Sequence, residues 1–359
     1  MRIVVAMSGG VDSSVAAALL AEQGHDVIGV SMQLYDQSEG DGRSAGAAAF
    51  GTCCTIDDLY DARRVAAAIG IPHYILNFEN RFDEQVVSNF IREYSAGRTP
   101  IPCAHCNADL KFSTLLERAL GFGADALATG HYARIDTAED GSYRLRRGAD
   151  SAKDQTYFLF SLTQDQLARA CFPVGDLDKD VVRAHARRLE LRVAAKPDSQ
   201  EICFVPDGDY ATFIERNAPE SRRPGALVDR SGAVVGAHDG VHRFTIGQRK
   251  GLGLSAREPM YVLAIRPDTA EVIVGPREAL GQTALTASAV NWISGRPAAD
   301  WTAVTAQIRH RHTPAPARVR AIDGDRAELI FHEPQTAITP GQAVVFYDDD
   351  CVVGGGWID

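Results

Sequence analysis

From Arg2 to about Cys171 the chain alternates short apolar runs with longer amphipathic ones: IVVAM, SSVAAALLAEQG, HDVIGVSMQLY, IDDLYDARRVAAAIG, PHYILNF and later ADALATG. The short runs read as buried strands and the Ala- and Leu-rich stretches between them as helices. Their alternation predicts repeated βαβ units, hence an α/β domain with a parallel, Rossmann-like sheet covered by helices. Such sheets bind ligands at the carboxyl ends of their strands. The stretch after Tyr35, DQSEGDGRSAGAAAFG, is too rich in Gly, Ala and Ser to pack and is expected to form a loop near that sheet edge. YARIDTAEDGSYRLRR reads as a hairpin-like insert.

Beyond Phe204 the pattern changes to Pro, Gly and short alternating β-like runs, as in ALVDRSGAVVG, REPMYVLAIRPDTAEVIVG and RAELIFHEPQTAITPGQAVVFYDDD. Two small β-rich units are therefore expected, giving domains over 1–210, 211–281 and 282–359. The last, ending in GGGWI, is expected to be a small β-barrel.

A chain of 359 residues is too long for one ordinary core, which agrees with several domains. With 45% hydrophobic and 23% charged residues it has the composition of a soluble globular protein, and intrinsic disorder is excluded. No apolar run approaches the ~18 residues of a membrane span, and MRIVVAMSGG opens directly on a strand rather than on a signal peptide. A cytoplasmic protein without membrane attachment is expected. The formal net charge of −10 argues against a whole surface built for nucleic acid, but not against a local basic face.

Directly after the first strand comes Ser8-Gly9-Gly10-Val11-Asp12-Ser13-Ser14, and then an Ala- and Leu-rich helix. Paired glycines let backbone amides wrap an anion, and the helix start adds unpaired N–H groups and a positive dipole end. No Lys follows, so this is not the common G-x-x-x-x-G-K-[ST] loop, nor is it G-x-G-x-x-G. The plainer alternative is a tight strand-to-helix turn that only needs Gly and a Ser cap. The full SGGVDSS in this position favours a phosphate cradle.

The seven cysteines are Cys53, Cys54, Cys103, Cys106, Cys171, Cys203 and Cys351. An odd number at irregular spacing argues against a disulfide framework and for redox or metal chemistry. Pro100 and Pro102 stiffen the approach to Cys103-Ala104-His105-Cys106-Asn107, and the helical periodicity of LKFSTLLERAL begins just after. Cys106 is thus expected near a helix N-terminus, where an anionic sulfur is favoured. Cys203 lies in Asp198-Ser199-Gln200-Glu201-Ile202-Cys203-Phe204 and can meet Cys106 only if the fold joins them. C-x-x-C alone is half a zinc site; no second pair at ligand spacing follows, so no structural metal is expected. If Cys103, Cys106 and Cys203 converge, an iron–sulfur cluster is a competing reading of the three thiols. The other four cysteines read as small apolar fillers.

SGGVDSS, the TP-x-P-x-x-x-CN-x-x-x-KF pattern, ATGHYAR, KDQTYFLF, DSQEICF, FTIGQRKGLG and TPGQAVVFY with GGGWI, in that order, resemble the bacterial tRNA-specific 2-thiouridylases, PP-loop ATP pyrophosphatases known as the MnmA family. The resemblance implies that ATP, with Mg²⁺, binds at Ala6, Met7, Ser8, Gly9, Gly10, Val11, Asp12 and Ser13, with Met32 and Gly130 on the adenine and ribose side. It implies adenylation of the C2 oxygen of the tRNA wobble uridine. Cys203 would carry a persulfide from a sulfur donor of the cysteine desulfurase or sulfur-relay type. Cys106 would be the nucleophile that ends in a transient disulfide with it. It further implies that Ile101, Pro102 and Cys103 line the target base, and that Lys153, Asp154, Gln155, Arg309 and His310 contact tRNA. The products would be 2-thiouridine, AMP and pyrophosphate, made by a monomer. Cys103 stands where some members carry Asp, and Ile101 where Asn is common. Arg144, Arg146, Arg147, Arg243, Arg249, Lys250 and Arg257 form basic clusters expected to hold RNA phosphates. The rival reading is an amidating ligase that uses the same loop, with dispensable cysteines and no need for RNA.

Overall fold

The computed structural model describes residues 1–35, 56–198, 202–205, 208–255 and 257–359. The Gly- and Ala-rich loop after Tyr35, with Cys53 and Cys54, and residues 199–201 of the DSQEICF block lie outside that range. Apolar runs pair in parallel as β1 (Arg2–Ala6), β2 (Asp26–Gln33), β3 (His73–Asn77) and β4 (Ala126–Ala128). The hairpin β5 (Ala133–Thr137) and β6 (Tyr143–Arg147) follows, and β7 (Ala170–Cys171) completes a sheet of order β3-β2-β1-β4-β7. Helices α1 (Val11–Glu22) and α2 (Ile56–Ile69) cover it. Alanines 16, 17, 18 and Val15 of α1 are fully or almost fully buried, so small side chains let this helix lie close on the strands.

The strand order reverses between β1 and β4, which are hydrogen-bonded neighbours with Val5 opposite Ala128. A crevice therefore opens beyond their carboxyl ends, where SGGVDSS and Thr129-Gly130 emerge.

The middle unit is a four-stranded sheet of β8 (Gly225–Val228), β9 (Val234–His238), β10 (Tyr261–Arg266) and β11 (Glu271–Gly275), packed on Leu227, Val262, Val272 and Val274. The last unit comprises β12 (Gly281–Trp292), β13 (Thr302–Gln307), β14 (Ala315–Ala321), β15 (Ala327–Thr336), β16 (Ala343–Asp348) and β17 (Cys351–Ile358). These strands run in the order β12-β15-β14-β13-β16-β17, and pairing of β12 with β17 closes the barrel. Closure removes the free edges that a small open sheet would present. Among the described residues no helix is long and apolar enough to cross a membrane.

The hairpin β5–β6 has a use that its sequence does not announce: β6 pairs with β17, Arg146 opposite Cys351, and so extends the barrel from within the first domain. Asp350 accepts from both Arg134 and Arg146, while Asp136 accepts from Arg144 and Arg146. Arg147 lies over the Tyr347 ring at 3.6 Å and bonds Asp154 at 2.6 Å. Arg134, Arg146 and Arg147 thus help to join the two domains, while Arg144 pairs with Asp136 inside the hairpin.

At the same seam a Cβ on Gly355 would sit 2.8 Å from both Phe160 and the Val344 carbonyl. Gly355→Ala is expected to destabilise this junction by about 1–3 kcal/mol, the usual cost of overpacking. Thermal melting checks it; an unchanged transition would contradict a tight seam.

Candidate functional site

The loop after β1 is shaped by two approaches so close that only glycine fits. Gly9 has φ +75°, and a Cβ there would lie 2.2 Å from the Asp58 carbonyl. A Cβ on Gly130, from the end of β4, would lie 2.5 Å from the amide nitrogen of Ser13. Gly130 thus packs against the Asp12–Ser13 backbone of the loop. Gly10, the N-cap of α1, makes no side-chain cap, so the first-turn amides at Val11, Asp12 and Ser13 lack both an intrahelical acceptor and a capping group. The Ser13 hydroxyl accepts from the Ser8 amide at 3.1 Å, and Ser14 Oγ donates to the Gly10 carbonyl at 2.7 Å. Ala6 ends β1, Met7 is buried and donates its amide to the Val30 carbonyl, and Met32 is buried near the end of β2. The predicted nucleotide residues therefore lie together around the reversal of strand order.

Charge surrounds the loop. The Lys179 ammonium lies 2.8 Å from both oxygens of Asp12 and 2.7 Å from Asp198, and the Tyr132 hydroxyl donates to Asp12 at 2.8 Å. Burial, then the Asp12 carboxylate, push the Tyr132 phenol up, so it remains a donor. On the other side Lys196 donates to the Gly9 carbonyl, to Asp58 and to Asp61. Burial alone would lower the Lys196 ammonium, but the two carboxylates outweigh it and raise it. Sequence reading missed Lys179, Tyr132 and Lys196. Nothing in the pattern marks a lysine so far from Asp12, although Lys196 adjoins the DSQEICF block.

The thiols come from two elements. Pro102 occupies the first turn of a helical run formed by Pro102–His105, a π-helical stretch Cys106–Leu115 and Leu116–Gly121. Cys103 lies in that first turn and is exposed; Cys106 begins the π-helical stretch and is half-buried. Asn107, buried, donates to the Phe158 carbonyl at 3.2 Å and accepts from Lys111 at 2.9 Å. Phe112 packs against the rings of His131 and Phe172. The CN-x-x-x-KF pattern thus ties the helix to the rest of the domain. Cys203 is also half-buried, and its neighbour Phe204 sits edge-on to Phe82 and Phe90 and packs on Phe213. Cys106 and Cys203 pack against one hydrophobic core, which also contains Met32, Ile101 and Ala104. Among the described residues no three His, Cys, Asp or Glu side chains are grouped to hold a metal ion, so Cys103, Cys106 and Cys203 do not form a cluster ligand set in this arrangement. Burial raises the thiols of Cys171 and Cys351, as suits inert fillers.

Ile101 is buried as the N-cap of the thiol helix, with Pro102 after it. Lys153 pairs with Asp198 at 2.8 Å. Asp154 is turned inward onto Arg147, Gly148 and Thr156, and the Gln155 side chain accepts from the Tyr132 amide. His310 packs on Phe158 at 4.6 Å between ring centres, and exposed Arg309 donates to the Thr336 carbonyl. The QIRHRH segment of the barrel therefore meets the KDQTYF turn, which in turn holds Asn107 beside Cys106. A second bridge was not foreseen: Trp357, next to the last residue but one, stacks on His105 at 4.4 Å and 1°. Of the expected basic patch, Arg243 pairs with Glu215, whereas Arg249 and Arg257 line an open cleft of about 370 Å³ in the middle domain.

Burial, then Lys111, push the imidazole of His131 well below its ordinary value of 6.5. Partial burial lowers His73 and His312 in the same direction. Below the unfolded value near 6.5 the unfolded chain takes up protons that the folded one refuses, so stability is present above that pH and lost below it. Melting at pH 7.5 and 5.5 is expected to show a loss of roughly 1 kcal/mol or more, reduced in His131→Gln. A flat profile across that window would contradict the burial of these rings.

Three family models match the chain in order: a tRNA methyl transferase HUP domain over residues 1–207, a tRNA methyl transferase PRC-barrel domain over 211–276, and an aminomethyltransferase β-barrel domain over 282–358. A tRNA-specific 2-thiouridylase MnmA of Geotalea uraniireducens is 54% identical across 100% of this chain and 95% of its own length. The proteins of that name from Geobacter metallireducens and Solibacter usitatus are each 52% identical, over 100% and 99% of this chain and 96% and 99% of theirs. With identity this high over the whole length, and with the phosphate loop and both thiol blocks in place, the chain belongs to the MnmA family of tRNA-specific 2-thiouridylases.

Proposed function

We propose that this enzyme carries out ATP-dependent 2-thiolation of the wobble uridine of tRNA. The observation that supports this reading is that Cys106 and Cys203 both pack against the hydrophobic core that also contains Met32. An amidating ligase has no use for two such thiols.

The C2 carbonyl of a pyrimidine is a poor electrophile with a poor leaving oxygen. ATP, entering with Mg²⁺ as substrate, places its phosphates against the amides around Gly9 and Gly10, which are preorganised to take developing negative charge. The C2 oxygen attacks the α-phosphorus, pyrophosphate leaves, and C2 now carries AMP as a good leaving group. The base must first leave the anticodon stack for a pocket, which Ile101, Pro102 and Cys103 would line. A donor of the cysteine desulfurase or sulfur-relay class charges Cys203 as a persulfide. Its outer sulfur attacks C2 and expels AMP, leaving the base joined to Cys203 through an S–S bond. The Cys106 thiolate then attacks the Cys203 sulfur and breaks that bond. Thiouridine departs with both electrons of the broken bond, and the two cysteines are left oxidised as a disulfide, which a cellular thiol reductant reopens. His310 packs on Phe158 where the first domain meets the barrel, and Lys153, Arg309 and His310 would grip the anticodon loop.

Incubation with ATP, Mg²⁺, a persulfide donor and unmodified tRNA should replace one oxygen by sulfur at the wobble uridine, read by mass spectrometry of digested nucleosides. Cys106→Ser and Cys203→Ser are each expected to lower thiolation by about a thousandfold or more while ATP still binds. Thiolation retained in either variant would overturn the two-thiol route. Gly130→Ala, which drives a methyl into the loop backbone, should weaken ATP binding by about tenfold or more, measured by calorimetry.

A further inference from the structure

The TPGQ turn of the barrel, residues 339–342, grips the segment that leads to the thiol helix. Thr99 donates its amide to the Pro340 carbonyl and accepts at its own carbonyl from Gln342 Nε2, both at 2.9 Å. Between those two bonds Gly341, at φ +85°, lies so close that a Cβ there would be 3.0 Å from the Thr99 amide nitrogen and 3.1 Å from its carbonyl oxygen. The turn is itself fixed to the end of β17, where Gly341 donates to the Ile358 carbonyl and the Gln342 carbonyl accepts from the Ile358 amide. The middle domain reaches the same point, with the Thr99 hydroxyl donating to that of Thr245 at 3.3 Å. All three domains therefore meet at Thr99, just ahead of the helical run that starts at Pro102.

Every residue of the stretch 99–102 is a proline or precedes one. Proline fixes its own φ and keeps the residue before it out of the helical region, so this stretch moves as one piece rather than bending. A displacement at Thr99 is therefore carried into Ile101, Pro102 and Cys103. The helical run beyond has anchors of its own, Asn107 on the Phe158 carbonyl and His105 on Trp357. Granting the thiolation reading above, we infer that Gln342 is a positioning residue of the tRNA site: through the Thr99 carbonyl it sets the wall of Ile101, Pro102 and Cys103 against which the flipped uridine rests. Cys106 follows the anchored part of the helix, so the effect of Gln342 falls on the base rather than on the thiol.

Gln342→Met removes the donor while keeping the length of the side chain. The test compares this variant with wild type, both full-length, in single-turnover thiolation by persulfide-charged enzyme with ATP, Mg²⁺ and saturating unmodified tRNA. The rate is expected to fall about tenfold to a hundredfold, the cost of setting a reacting group about an ångström out of place. Affinity for tRNA should stay within about twofold, since phosphate contacts supply most of it. Alkylation of Cys106 by iodoacetamide, followed by mass spectrometry, should also stay within about twofold. An unchanged thiolation rate at a temperature where both proteins are folded would overturn the proposal, because a lowered melting point would then be the whole effect. So would a loss of tRNA affinity or of Cys106 reactivity in step with the rate, which would move Gln342 to the RNA grip or to the thiol helix. Should Gln342→Met fail to fold, Gln342→Asn, whose amide stops one methylene short of Thr99, decides by the same three readings. Wild-type thiolation is measured alongside: its absence counts against the functional reading, whereas its presence with an unaffected variant counts against the role of Gln342 alone.

Discussion

The site depends on how closely two backbones approach at the reversal of strand order. β1 and β4 are direct neighbours, and the segments leaving them meet with Gly130 against the Asp12–Ser13 backbone and Gly9 against the Asp58 carbonyl. Any side chain at either glycine would force the loop open. Because none is there, the amides at the start of α1 stay gathered in one place, and the surrounding carboxylates and lysines can be fixed by short contacts. Tyr132 and Lys179 fix Asp12, while Lys196 fixes the Gly9 carbonyl.

The barrel is joined to this centre at three places. β6 extends it through β17, His310 packs on Phe158, and Trp357 stacks on His105 within the helix that bears both Cys103 and Cys106. The barrel is thereby in direct contact with the helix that bears Cys106. Arg146 and Arg147 of YRLRR belong to this joint, with Asp350 and the Tyr347 ring as their partners across it, while Arg249 and Arg257 border an open cleft in the middle domain.

Much of this was legible in the sequence. The alternation of apolar runs gave the parallel sheet, because buried parallel strands read as continuous hydrophobic stretches, and SGGVDSS after the first strand located the loop. The thiols could be named from their surrounding blocks. What stayed hidden were contacts set by tertiary packing: the partnership of Lys179 with Asp12, the inward turn of Asp154, the stack of Trp357 on His105, and the π-helical stretch beginning at Cys106. Lys179 and Trp357 meet partners far along the chain, Asp154 turns onto near neighbours that an irregular turn brings together, and a π-helical run has no propensity of its own to read. Charge was the least readable feature, because an arginine in a basic run looks the same whether it faces solvent or an aspartate from another domain.

The central claim is that Cys106 and Cys203 act as one pair on a single uridine. Non-reducing peptide mapping after a single turnover with persulfide-charged enzyme, ATP, Mg²⁺ and tRNA tests it most directly. The account predicts a Cys106–Cys203 disulfide formed in step with 2-thiouridine. Thiolated tRNA accompanied by no such link, or by a Cys103–Cys106 disulfide instead, would contradict it.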